Sequence, residues 1–166
     1  MSLYVKDYFL ADQLRILPLS LPKGTRGAQR FLRTLSSHIL ELPERVNLVV
    51  VDSITPLMNQ VSPALKMDFL QTCKELCEDN RSILLTAGSY TFEKRTLSRV
   101  YALSDYYLRP KSEDAIFERG MVDKRVIKIL RVLKLHGADC QTIGTVNFEI
   151  KPKVGIKILP FVKIRV

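Results

Sequence analysis

No apolar run in this chain approaches the ~18 to 20 residues that a membrane-spanning helix needs. The longest are four residues, among them Leu48 to Val51, which stops at Asp52. The opening residues Met1 to Asp7 carry neither the basic head nor the apolar stretch of a secretory signal. A soluble, cytoplasmic protein is therefore expected. Cysteine is sparse and odd in number, at Cys73, Cys77 and Cys140. This spacing is not the paired Cys-x-x-Cys or Cys/His set of a zinc site. Cys73 and Cys77 fall in a helical pattern with Leu65, Phe69, Leu70 and Leu76, which predicts thiols on a buried helix face and a reducing compartment. Glycine is scarce as well. The glycines stand at 24, 27, 88, 120, 137, 144 and 155, and none is followed by lysine. A phosphate-binding loop, Gly-x-x-x-x-Gly-Lys-Ser/Thr, uses backbone amides to cradle phosphates and its lysine to neutralise them. These residues contain no such loop, and Lys23-Gly24-Thr25 has the order reversed.

What is present suits one ordinary domain: 166 residues, 46% apolar and 26% charged, are enough to bury a core. Lys and Arg outnumber Asp and Glu by 26 to 17, so anionic partners are favoured: nucleotides, nucleic acid, an acidic protein or an anionic membrane surface. The positive residues are spread without a block of like charge, and many must simply be solvated. No basic loop interleaved with aromatics offers a grip on single-stranded nucleic acid, which disfavours that partner.

The order of elements gives the fold class. Leu14 to Leu19 reads as a short strand, ended by Pro22 and Gly24. Ala28, Phe31, Leu32, Leu35 and Ile39 form one apolar helical stripe, closed by Pro43. Leu48 to Ser53 is a continuous apolar strand of the kind buried on both faces in a parallel sheet. Ser62-Pro63 supplies a cap and first turn for a helix to about Glu78. Ser82 to Ala87 is a second buried strand, and a helix follows from about Phe92 to Leu103. From there the pattern becomes strands with short connections: Tyr106 to Arg109, Arg125 to Leu135, Thr145 to Lys151 and Gly155 to Ile164. Within Arg125 to Leu135 the apolar and basic residues alternate imperfectly, but β-branched content favours a strand. The expectation is a single α/β domain, a mostly parallel sheet flanked by helices and extended by antiparallel C-terminal strands.

Two strand ends carry the candidate chemistry. Leu48-Val49-Val50-Val51-Asp52 matches the Walker B pattern, in which a buried strand holds a carboxylate at its C-terminal end to anchor a hydrated magnesium. Asp residues also end strands for capping reasons alone. One β-α-β unit later, Leu84-Leu85-Thr86 ends in a hydroxyl, followed by Ala87-Gly88-Ser89. Such a hydroxyl either caps the turn or reaches toward a phosphate.

The C-terminal strands make the pattern specific. Val132-Leu133-Lys134-Leu135-His136-Gly137-Ala138, then Phe148-Glu149-Ile150 and Gly155 to Pro160, resemble the FlaH and KaiC branch of the RecA superfamily of P-loop ATPases. Val5 to Leu10, Leu14 to Leu19 and Val50 to Thr55 resemble FlaH, the accessory ATPase of the archaeal flagellum (archaellum), in particular. The resemblance runs from about Val5 to Val166 and implies a RecA-like core. It further implies that Asp52 anchors magnesium, that Thr86 is a sensor near the γ-phosphate, and that Lys134 is a finger reaching the γ-phosphate held by a neighbouring subunit. His136 stands where the family has Arg, and it lacks the planar fork that grips phosphate.

In that family the phosphate loop lies upstream of the segment matched here. The resemblance therefore implies an N-terminally truncated chain, with ATP and magnesium as cofactors of the complete protein and no ATP hydrolysis by these residues alone. It also implies a regulatory or assembly role in the archaellum motor. The partners would be a secretion-type motor ATPase, a membrane platform protein and further copies of itself, at the inner face of the cell membrane. Loss of an interior strand would expose apolar surface and favour self-association. The competing readings are a KaiC- or RadA-like protein acting on DNA or in signalling, and a scaffold without nucleotide chemistry.

Overall fold

The computed structural model describes residues 5–88, 90–115, 125–136, 144–151 and 155–159. Cys140, the Gly137-Ala138 end of the quoted motif, Ser89 and residues 160–164 of the last expected strand lie outside these. The chain divides into two compact units, Leu17–Ser104 and the combination of Met1–Ile16 with Asp105–Val166.

In the first unit, helix α2 (Thr25–Leu40) is followed by strand β1 (Leu48–Val51), the short helix α3 (Thr55–Met58), helix α4 (Pro63–Glu78), strand β2 (Ser82–Leu85) and helix α5 (Lys94–Leu103). Gly24 precedes α2 with φ +83°, a backbone conformation that side chains with a Cβ rarely adopt. The α2 stripe buries Ala28, Leu32 and Ile39. Ser62 caps α4, its hydroxyl accepting from the Leu65 amide at 3.4 Å, and Pro63 fills the first turn where its missing N–H is not needed. The buried face of α4 is Phe69, Leu70, Cys73 and Leu76. Cys73 is a free thiol there, and burial, then the neighbouring Cys77, pushes it from 9.0 up to about 12. α2 and α5 pack on α4, and α4 packs on β2.

β1 and β2 pair in parallel, Leu48 opposite Ser82 through Val51 opposite Leu85. The alternation of the pleat puts Val49, Val51, Ile83 and Leu85 on the more covered face. The other face corrects the expectation of strands buried on both sides: Leu48 is 57% exposed, Val50 52% and Leu84 51%. Among the described residues nothing covers it.

A second expectation also fails. Leu14 to Leu19 forms no strand, and Ile16, Leu17 and Leu19 are exposed. Pro18 has no N–H to give to a ladder, and no described strand lies alongside.

The other unit begins with helix α1 (Val5–Leu10), whose short span left little helical periodicity to read. It continues as a four-stranded antiparallel meander: β3 (Tyr106–Ala115), β4 (Arg125–Leu135), β5 (Thr145–Lys151) and β6 (Gly155–Leu159), in that spatial order. Ile129 is buried at its centre against Leu159. β3 runs past Arg109, where the sequence suggested an end, because β3 is an edge strand and Pro110 can sit there without breaking a ladder on both sides. Between Tyr107/Lys134 and Leu108/Val132 the register shifts by one residue, a bulge at Leu133. That bulge lies within the stretch whose alternation is imperfect.

Candidate functional site

The parallel pair points both strand ends the same way, and the next residue of each is polar. Asp52 follows β1 and Thr86 follows β2. Backbone pairing carries on beyond the strands: the Thr86 amide donates to Val51 O at 3.1 Å, and the Ile54 amide donates to Thr86 O at 3.0 Å. With both backbones held, the Thr86 hydroxyl donates to Oδ1 of Asp52 in a short hydrogen bond. Asp52 is exposed and Thr86 half-buried, so the pair faces solvent at the carboxyl end of the strands, where open α/β sheets take their ligands. The Asp52–Ser53 peptide is cis.

Behind this pair lies a cluster of hydroxyls. Thr55, 7% exposed, and Thr91, 3% exposed, join their hydroxyl oxygens at 3.0 Å. The Gly88 amide donates to Thr55 Oγ1 at 2.7 Å, and the Thr91 amide closes a turn on Gly88 O at 3.0 Å. The Thr55 amide in turn donates to Ser53 Oγ at 3.1 Å. A Cβ at residue 88 would stand 2.9 Å from the Tyr90 ring and 3.4 Å from Thr55 Oγ1, so the glycine lets this turn approach closely.

Lys134 and His136 stand together at the end of β4, in the other unit. Lys134 is half-buried and lies opposite Tyr107, beside the bulge, which re-aims side chains locally. The His136 amide donates to Asp105 O at 2.9 Å, closing the end of the hairpin, while its side chain is exposed.

Of the four residues singled out from sequence, the structure thus joins Asp52 with Thr86 by a hydrogen bond and sets Lys134 and His136 two residues apart on one strand end. Sequence reasoning missed Thr55, Gly88 and Thr91 as a unit. Thr55 was in view beside Asp52, but nothing in residue spacing signals that its hydroxyl meets the turn after the next strand.

The donors suit a hard cation. One carboxylate with the Thr86 hydroxyl bonded to it is oxygen chemistry, and among the described residues no group of three or more His, Cys, Asp or Glu gathers to cage a metal. That arrangement fits magnesium, which keeps waters and takes its other oxygens from phosphates. Among the described residues no helix is long and apolar enough to cross a membrane.

No family model matches the chain. It is 25% identical over 156 residues to the archaeal flagellar ATP-binding protein FlaH of Sulfolobus acidocaldarius, covering 92% of this chain and 64% of that protein. The crystal structure of the flagellar accessory protein FlaH from Methanocaldococcus jannaschii superposes with a TM-score of 0.73 at 16% identity, over 95% of this chain and 66% of that one. A KaiC-like protein from Pyrococcus horikoshii matches with a TM-score of 0.59 at 14% identity, over 94% of this chain and 64% of the other. At those identities the two structures speak for the fold. The chain accordingly spans just under two thirds of the length of these relatives. In sequence it is FlaH-like, and in fold it is a RecA-like α/β protein.

Proposed function

We propose that this chain is the magnesium- and sensor-bearing part of a single ATP-binding domain that serves as a regulatory or assembly component of the archaeal flagellar motor. The observation that carries the reading is the Thr86–Asp52 hydrogen bond at the carboxyl ends of adjacent parallel strands. In this reading Asp52 holds magnesium through its waters. Bound there, the ion would neutralise charge on the β- and γ-phosphates of ATP. Thr86, already hydrogen-bonded to that carboxylate, reports the γ-phosphate by exchanging partners. Lys134 brings positive charge to a phosphate held by a neighbouring copy, a common device in phosphoryl transfer. His136 adds a weaker contact than an arginine would, because it lacks the planar fork.

The name of the Sulfolobus relative supports the ATP and flagellar parts of the proposal. The partners proposed with it are a secretion-type motor ATPase, a membrane platform protein and further copies of the chain, on the cytoplasmic side of the membrane. The uncovered row Leu48, Val50 and Leu84 supports self-association. Light scattering is expected to show more than a monomer, and a monodisperse monomer would count against that part.

Calorimetry with ATP and magnesium tests the core of the reading. It would be run on this chain and on a version extended upstream through a phosphate-binding loop. Binding by the extended version alone is expected. Binding by neither would favour a scaffold without nucleotide chemistry, and tight binding by the short chain would move the site elsewhere.

A further inference from the structure

We infer that Thr55 is a positioning residue for the Asp52–Thr86 pair, its buried hydroxyl latching the two loops that follow β1 and β2 onto each other. The inference rests on the nucleotide-site reading above and deepens it. The two functional side chains sit on separate loops, so their mutual geometry is only as firm as the bonds between those loops.

On the β2 side, the Thr86 carbonyl and the Gly88 amide belong to the two peptides flanking Ala87. The first is held by the Ile54 amide at 3.0 Å and the second by Thr55 Oγ1 at 2.7 Å. Fixing both peptides sets the φ and ψ of Ala87 and, together with the Thr86 amide bond to Val51 O, holds the backbone that carries the Thr86 side chain. On the β1 side, Ile54 and Thr55 are the residues that follow Asp52-Ser53, and the Thr55 amide is tied back to Ser53 Oγ.

The Thr55 hydroxyl is also well used. It accepts from Gly88 and shares its remaining bond with Thr91 Oγ1, which lies on the same turn through its own amide bond to Gly88 O. Thr55 and Thr91 are both buried, so water cannot replace a bond lost there. A hydroxyl at 55 therefore acts through Thr86, and it does not itself face solvent where a phosphate would lie.

Two readouts test this. Amide hydrogen exchange at Gly88 and Thr86 in the unliganded chain measures the latch, and magnesium-ATP affinity of the upstream-extended form measures its consequence. Thr55→Val keeps the shape and removes the hydroxyl, while Thr55→Ser keeps the hydroxyl. For Thr55→Val we expect Gly88 exchange to speed up by ~10- to 100-fold and ATP affinity to fall by about 10-fold, the range expected from one buried hydrogen bond. Thr55→Ser is expected to stay within about 3-fold of the parent in both. Thr91→Val, which leaves the Gly88 bond in place, gives a smaller loss in the same direction and serves if Thr55→Val does not fold.

Unchanged Gly88 exchange in both valine variants would overturn the latch while leaving the nucleotide site standing. Faster exchange with unchanged affinity, or equal weakening by Ser and Val at 55, would reduce Thr55 to a structural residue and overturn the inference. A parent that binds no ATP would bring down the nucleotide reading and this inference with it, whatever the exchange data show.

Discussion

The hydroxyl of Thr86 is donated to a carboxylate oxygen of Asp52 across the ends of two neighbouring parallel strands. Asp52 is exposed, so water can replace the hydroxyl if it is lost. Thr86→Val should therefore change the folding free energy by less than ~1 kcal/mol, read from urea unfolding. A loss of several times that would mean that the pair holds the fold together and is not poised for a ligand.

Arg81 shows the opposite balance. Its guanidinium spans the end of α2, giving one bond to Ile39 O at 2.9 Å and another to Leu42 O at 2.6 Å, and it is half-buried. The carbonyls at a helix C-terminus lack helical partners and carry the negative end of the dipole. Arg81→Ala is expected to cost about 2 kcal/mol, and Arg81→Lys to recover only part, since an ammonium cannot span both carbonyls as the planar fork does. Equal stability of Lys and Arg variants in urea unfolding would contradict the two-carbonyl role.

Cys73 offers a pH test. Its folded thiol titrates at about 12 against an ordinary 9.0, so between those values the folded chain keeps a proton that the unfolded chain has lost. Folding then binds more protons, and stability from this group must fall as pH rises through that window. Alkylation with iodoacetamide at pH 8 should leave Cys73 unmodified in the native chain and modify it in denaturant. Native labelling at Cys73, mapped by mass spectrometry, would show that α4 does not bury it.

The Ser62 cap predicts a smaller effect. Its bond to the Leu65 amide is long at 3.4 Å, so Ser62→Ala should cost about 0.5 to 1 kcal/mol, near the low end for N-caps. A neutral result in thermal unfolding would mean that Pro63 alone starts α4.

Much of the fold was readable because periodicity and punctuation agreed. α4 begins at Ser62-Pro63 and ends at Glu78 as expected, and β4 and β5 have the expected bounds. The failures have physical reasons. Leu14 to Leu19 has the composition of a strand, but a strand needs a partner ladder, which composition cannot report. β3 runs past Arg109 because Pro110 is tolerated on an edge strand, and edge position is a property of the sheet that residue type does not report. The apolar face of β1 looked buried because residue type gives the preference for burial and not the presence of a cover. At the site, Asp52 and Thr86 were each visible as polar ends of apolar strands, but their hydrogen bond required the parallel register. The Thr55–Gly88–Thr91 cluster was invisible, since it joins loops far apart in the chain through side chains with no motif of their own.

The most direct test of the account is the magnesium dependence of ATP binding by the upstream-extended form, with and without Asp52→Asn. The account predicts that magnesium strengthens ATP binding by the parent and that Asp52→Asn loses most of that gain, about 10-fold or more. An Asp52→Asn protein that keeps the full magnesium effect would contradict the claim that this strand end is the metal anchor of a nucleotide site.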